Sequence, residues 1–139
     1  MKRWILLAAV AAAAVLVSGG CSPATPATDA ADALVRRSWG LSEATVSALA
    51  GGDIDPARYT VEFLDGTFDA KVDCNQVSGT YAWSSDGLLT ITPGPSTMAA
   101  CPEGSLAGDY LAALQATTSF QVTDGRLVLT TGDGTLTFE

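Results

Sequence analysis

Three cysteines and no histidine set the chemical inventory of this 139-residue chain. Cys74 stands in Asp73-Cys74-Asn75-Gln76, Cys101 closes Thr97-Met98-Ala99-Ala100-Cys101, and Cys21 lies far upstream of both. A nucleophilic or redox cysteine needs a neighbour that lowers its thiol pKa, and neither an imidazole nor a Cys-X-X-Cys spacing is present to do so. Without His, imidazole triads are ruled out, and a zinc site nearly so. No glycine pattern follows a strand and opens a helix in the manner of phosphate or dinucleotide binding. The 15 Asp and Glu residues keep a paired-acid glycosidase open on inventory. Most of them are Asp at turn positions, where solvation is the ordinary explanation. Asp53-Ile54-Asp55 has two carboxylates that could face Ca²⁺, without the remaining ligands of a calcium loop. The expectation is a chain with no metal, no cofactor and no catalytic residue.

The address is written in the first twenty residues. Lys2 and Arg3 form a positive start, Trp4 to Val17 is an unbroken apolar run, and Ser18-Gly19-Gly20 are small residues ahead of Cys21. That is the layout of a secretory signal peptide; the run is too short for a relaxed membrane span of about 20 residues. Val17-Ser18-Gly19-Gly20-Cys21 resembles the lipobox of bacterial lipoproteins, with Ser18 where such motifs usually carry Leu. The resemblance implies that Cys21 becomes the lipid-modified first residue of the mature chain, anchored on the outer face of a bacterial cell membrane. Two or more acyl chains hold durably where one binds only marginally. Once Lys2 and Arg3 leave, five basic residues face fifteen acidic ones, a formal charge of −10. Such a surface favours a soluble monomer and lacks the basic footprint of nucleic-acid binding.

With Cys21 committed to lipid and the compartment oxidising, Cys74 and Cys101 have a single intramolecular pairing open to them. A disulfide closing a loop of that length stabilises a domain by about 3–4 kcal/mol on the chain-entropy account.

The elements that must position these residues follow from pattern. Residues 21–33, rich in Pro, Ala and Thr, read as a flexible, extended tether that lifts a domain spanning residues 34–139 off the membrane. Leu34-Val35 and Trp39-Gly40-Leu41 read as a first strand or strand pair, while Ser42 to Leu49 fits a helical turn and a loop equally well. Asp65-Gly66 is a two-residue hairpin signal; it sets Phe63 against Phe68, Val61 against Ala70 and Tyr59 against Val72, with every apolar residue on one face. Asp86-Gly87 joins Tyr81–Trp83 to Leu88–Thr92, and Asp124-Gly125 sets Phe120 and Val122 against Leu129 and Leu127. Asp133-Gly134 then sets Leu129 against Phe138 and Thr131 against Leu136. Between the hairpins, Leu106, Tyr110, Leu111 and Leu114 make an apolar stripe at helical spacing, with Ser105 as its expected N-cap. The fold class is α+β: a small curved antiparallel meander, partly closed like a barrel, with one packed helix.

Cys74-Asn75, Gly79, Tyr81, Leu89, Thr97-Met98-Ala99-Ala100-Cys101, the Asp109–Leu114 helix and Leu127-Val128-Leu129 together resemble the META domain family, with Trp39 and Leu41 matching its early Trp-x-Leu and Phe63 its first hairpin. These are small bacterial domains, often secreted or lipid-anchored, and they include a heat-shock protein linked to novobiocin resistance. Asp73 stands where the family usually carries Gly before the Cys-Asn pair. The resemblance implies a fold and a location more than a mechanism.

Asn75 has two readings: a rigid polar group beside the bridge that meets a ligand, or a turn residue whose amide satisfies nearby backbone. Tyr81, Trp83 and Trp39 would suit a sugar-stacking surface, though aromatics on strands are more often core. Three functions remain from the sequence. The first is a non-catalytic envelope lipoprotein with a binding or envelope-stress role, its partner an envelope protein or glycan. The others are a cell-wall hydrolase working through acidic residues and an inhibitor of a secreted protease.

Overall fold

The computed structural model describes residues 26–35 and 37–139; the expected signal peptide and Cys21 lie outside them. Ten elements follow in order: α1 (Pro26–Leu34), β1 (Ser38–Ala44), β2 (Tyr59–Phe63), β3 (Thr67–Val72), β4 (Asn75–Trp83), β5 (Leu89–Ser96), α2 (Ala107–Gln115), β6 (Thr117–Thr123), β7 (Arg126–Thr131) and β8 (Thr135–Phe138). The strands form one antiparallel sheet in the order β5-β4-β3-β2-β1-β8-β7-β6.

Two meanders, β2–β5 and β6–β8, are joined through β1. Its first half pairs with β2 (Trp39 opposite Val61) and its second half with β8 (Leu41 opposite Phe138), with a register break between Leu41 and Glu43. A bulge of this kind bends a strand and increases its twist. The sheet curls until its two edges meet: Leu88 bridges Ser119, and the Phe120 amide donates to the Gly87 carbonyl at 3.0 Å. The result is the α+β fold with a curved, barrel-like sheet that alternation and turn signals predict.

The β2–β3 hairpin has the expected register, Phe63 opposite Phe68, Val61 opposite Ala70 and Tyr59 opposite Val72, and all six side chains are buried. The Asp124-Gly125 turn also holds, with Phe120 opposite Leu129 and Val122 opposite Leu127. Both turn residues take positive φ, 52° and 74°, as a two-residue type I′ hairpin requires. α2 buries Tyr110, Ala113 and Leu114 against the concave face, where Tyr110 meets Tyr59 edge-on at 5.4 Å between ring centroids.

Four details depart from the sequence reading. The Pro/Ala/Thr stretch is helical from Pro26 to Leu34, and it docks: Ala31 and Leu34, three apart and so on one face, are buried. Leu34 is thus the end of a helix, and Val35 makes only an isolated parallel bridge to Phe63. In the β7–β8 hairpin Leu129 faces Leu136 and Leu127 faces Phe138, a two-residue shift that keeps the same face buried. The cause is Thr131, whose hydroxyl accepts the amides of Asp133 and Gly134 and so makes a four-residue turn. Finally, Leu106 and not Ser105 occupies the N-cap position of α2; the Ser105 hydroxyl, one residue earlier, still accepts the Ala107 amide at 3.3 Å, and the Leu106 amide donates to the Tyr59 phenol at 3.0 Å.

Candidate functional site

At the β3–β4 turn the chain reverses through Asp73 and Cys74, with Val72 opposite Asn75. Asp73 has φ of 62°, the left-handed region that Gly enters freely and Asp enters more readily than most residues. This non-glycine residue keeps the turn by a different device. Its carboxylate is buried and Oδ1 accepts a 2.8 Å hydrogen bond from Arg58 Nε. The Arg58 guanidinium, then the Ser105 hydroxyl, hold the Asp73 carboxyl below its ordinary value.

Cys74 is disulfide-bonded to Cys101, with Cα atoms 5.4 Å apart. The bridge joins the β3–β4 turn to the segment leading into α2, where the sequence places it. Asn75 then completes the attachment. Its Oδ1 accepts from the Ala99 amide at 2.7 Å and the Thr97 hydroxyl at 2.9 Å, and its Nδ2 donates to the Ala99 carbonyl at 3.0 Å. One side-chain amide therefore pairs with both polar groups of one peptide residue, as a neighbouring strand would. Nδ2 also lies 3.4 Å from Cys101 Sγ. The Thr97 hydroxyl in turn accepts from the Gln76 amide at 2.9 Å, and the Thr97 amide donates to the Gln76 carbonyl at 3.0 Å.

These contacts give residues 97–101 a fixed path although they belong to no strand or helix. The backbone is held and the side chains are left outside: Met98 is 92% exposed, and Ala99 and Ala100 are exposed as well. Asn75 is thus the turn-and-loop amide of its second reading. A family profile for the META domain matches residues 32–139. The chain belongs to the META domain family.

A search of curated proteins gives no match, so the comparison with solved structures carries the rest. A protein from Burkholderia xenovorans is similar at 25% identity and a TM-score of 0.59, over 100% of this chain and 97% of its own. A DUF4847 family protein from Bacteroides vulgatus is similar at 14% identity and a TM-score of 0.57, over 76% of this chain and 92% of that one. A third structure is similar at 21% identity and a TM-score of 0.56, over 78% and 92%. These likenesses bear on the fold.

Within this META domain the remaining candidates separate. Gly79 is where a side chain cannot go: a Cβ built there would stand 2.6 Å from Cε1 of Phe68 and meet the Thr92 carbonyl. Trp39 is fully buried, its Nε1 donating to the Leu34 carbonyl at 3.0 Å, with the Arg37 guanidinium 4.2 Å from the ring centroid. It belongs to the core and not to a stacking surface. Tyr81 is also mostly buried; its hydroxyl donates to the Leu64 carbonyl at 2.6 Å, and its ring meets Phe63 edge-on. Burial pushes the Tyr81 phenol pKa up.

Trp83 alone of these aromatics is open, at 42% exposure. With Tyr81 it lines an open groove of about 740 Å³, whose other walls include Ala31, Asp32 and Val35 and the Asp65-Gly66 turn. The brace and this groove lie at opposite ends of β4, so Asn75 and Trp83 do not belong to one site. Sequence reasoning missed Arg58, for which no local pattern gives a signal. It also missed the groove, which α1 completes. Asp73 did leave a trace, as the departure from the family's Gly.

Proposed function

We propose that this META-domain protein is a lipid-anchored, non-catalytic component of the bacterial cell envelope, with a binding or envelope-stabilising role. The observation that carries this reading is how the signature residues are used. The Asn75 amide, the Thr97 hydroxyl and both sulfurs are consumed in fixing a loop, and the side chain that loop exposes, Met98, is apolar. A constellation so used holds a loop and presents a surface. The disulfide is in keeping with an oxidising, extracytoplasmic compartment, as is a signal peptide over residues 1–20 ahead of Cys21.

Two measurements test this. Labelled palmitate should enter the protein and carry it to the membrane fraction, and Cys21→Ala should abolish both; unlabelled, freely soluble wild-type protein would refute the anchor. Deletion should sensitise cells to envelope stress, and turnover of cell-wall glycans by the purified protein would overturn the non-catalytic role.

A hydrolase acting through acidic residues is a second reading, favoured by one observation: Asp32 and Asp65 line the same groove as Tyr81 and Trp83. Paired-acid glycosidases hold their carboxyl groups about 5–9.5 Å apart. On this reading Asp32→Asn and Asp65→Asn would each abolish release of cell-wall fragments; on the first there is no such release to abolish.

A further inference from the structure

Among the described residues three large apolar side chains are exposed: Trp83, Leu88 and Met98. Two of them lie at the end of the barrel that carries α1. Trp83 shares its groove with Ala31, Asp32 and Val35. Leu88, 54% exposed, bridges Ser119 of β6, and α1 packs against β6 as well. Met98 is at the other end. Its loop is tied to Asn75, the first residue of β4, whereas Trp83 is the last. Eight steps of about 3.3 Å put up to roughly 26 Å between those two positions.

The chain enters the domain through α1. The helix starts at Pro26, five peptide steps after Cys21, and five extended residues reach at most about 18 Å. Asp32 lies six residues into the helix, about 9 Å further along its axis. Because Ala31 and Leu34 are buried, α1 is part of the domain and adds no free length to the tether. A lipid on Cys21 therefore tethers the chain through the helix that lines the groove of Trp83. An indole with one polar edge is a side chain suited to the lipid–water interface.

We infer that the α1 end of the domain rests on the membrane with Trp83 and Leu88 in the lipid interface, while the braced Met98 loop points away from it. This rests on the lipidation of Cys21 proposed above. The carboxylates at the same end, Asp32 and Asp65 beside Trp83, select the lipid. They suit zwitterionic headgroups and are repelled by anionic ones.

The test uses the mature lipoprotein in phosphatidylcholine vesicles with acyl chains brominated near the headgroup. The mature chain has only Trp39 and Trp83, and Trp39 is buried. The expected result is a loss of Trp83 emission relative to unbrominated vesicles, as for an indole at the interface. Trp83→Phe should remove the effect, and the double variant Trp83→Phe/Met98→Trp should show none. Protein that floats with vesicles while Trp83 stays unquenched, or while the indole at position 98 is quenched, overturns the orientation alone. Wild-type protein that does not float overturns the lipid anchor and the orientation together.

Discussion

Replacing Asn75 with Ala separates a brace from a binding residue. The substitution removes three hydrogen bonds within the loop, from the Ala99 amide, from the Thr97 hydroxyl and to the Ala99 carbonyl, besides the longer Nδ2 contacts to Cys74 and Cys101 Sγ. Each such bond contributes about 0.5–1.5 kcal/mol net. Residues 97–100 are exposed, so water takes over part of what is lost, and the disulfide still limits how far the loop can move. The expected cost is about 2 kcal/mol, near the middle of what three bonds supply after that replacement. For a domain of this size that is a fall in Tm of about 8–15 °C. Urea unfolding followed by far-UV circular dichroism measures it, and the midpoint should fall with little change in slope because the buried area is nearly the same. A cost below about 0.5 kcal/mol, within the range of ordinary surface substitutions, would refute the brace.

Other substitutions probe separate parts of the account. Tyr110→Phe deletes a fully buried hydroxyl that has no hydrogen-bond partner among the described residues; thermal unfolding should show unchanged or raised stability, by up to about 1–2 kcal/mol. Gly79→Ala places a methyl group against Phe68 and should cost about 1–3 kcal/mol by urea titration, the usual range for overpacking. Asp73→Asn keeps a residue tolerant of positive φ and removes the charge. The depressed Asp73 pKa means that its contribution is present above the unfolded value, about 3.9. That contribution is lost as pH falls through the folded value, so the stability of Asp73→Asn should decline less steeply than wild type below pH 4; an identical acid limb would argue against the Arg58 pairing.

How far the structure could be read in advance depended on whether a local rule acted alone. The β2–β3 hairpin was legible because strict alternation and the Asp65-Gly66 turn agree on one register. The β7–β8 hairpin has the same kind of signal, yet the Thr131 hydroxyl recruits the Asp133 and Gly134 amides and moves the pivot. α1 was hidden by composition. Its helical face has Ala31 and Leu34 buried, a weak pattern in a stretch whose Pro and Thr content suits an extended chain. β5 runs on through Pro93 and Pro95 to Ser96, because an edge strand has a side on which no amide is needed. The disulfide followed from compartment and count. The pairing of the Asn75 side chain with Ala99 could not, since it depends on where a loop some twenty residues later passes.

Ala99 offers the most direct measurement. Its amide lies outside every strand and helix, so a loop without the brace would exchange its proton nearly as fast as an unfolded chain. The donor bond to Asn75 Oδ1 at 2.7 Å predicts slow exchange by NMR in the wild-type domain and fast exchange in Asn75→Ala, with the β2–β3 amides protected in both. Rapid exchange at Ala99 in the folded wild-type protein would contradict the account, because the signature asparagine would then hold nothing and would be free for another role.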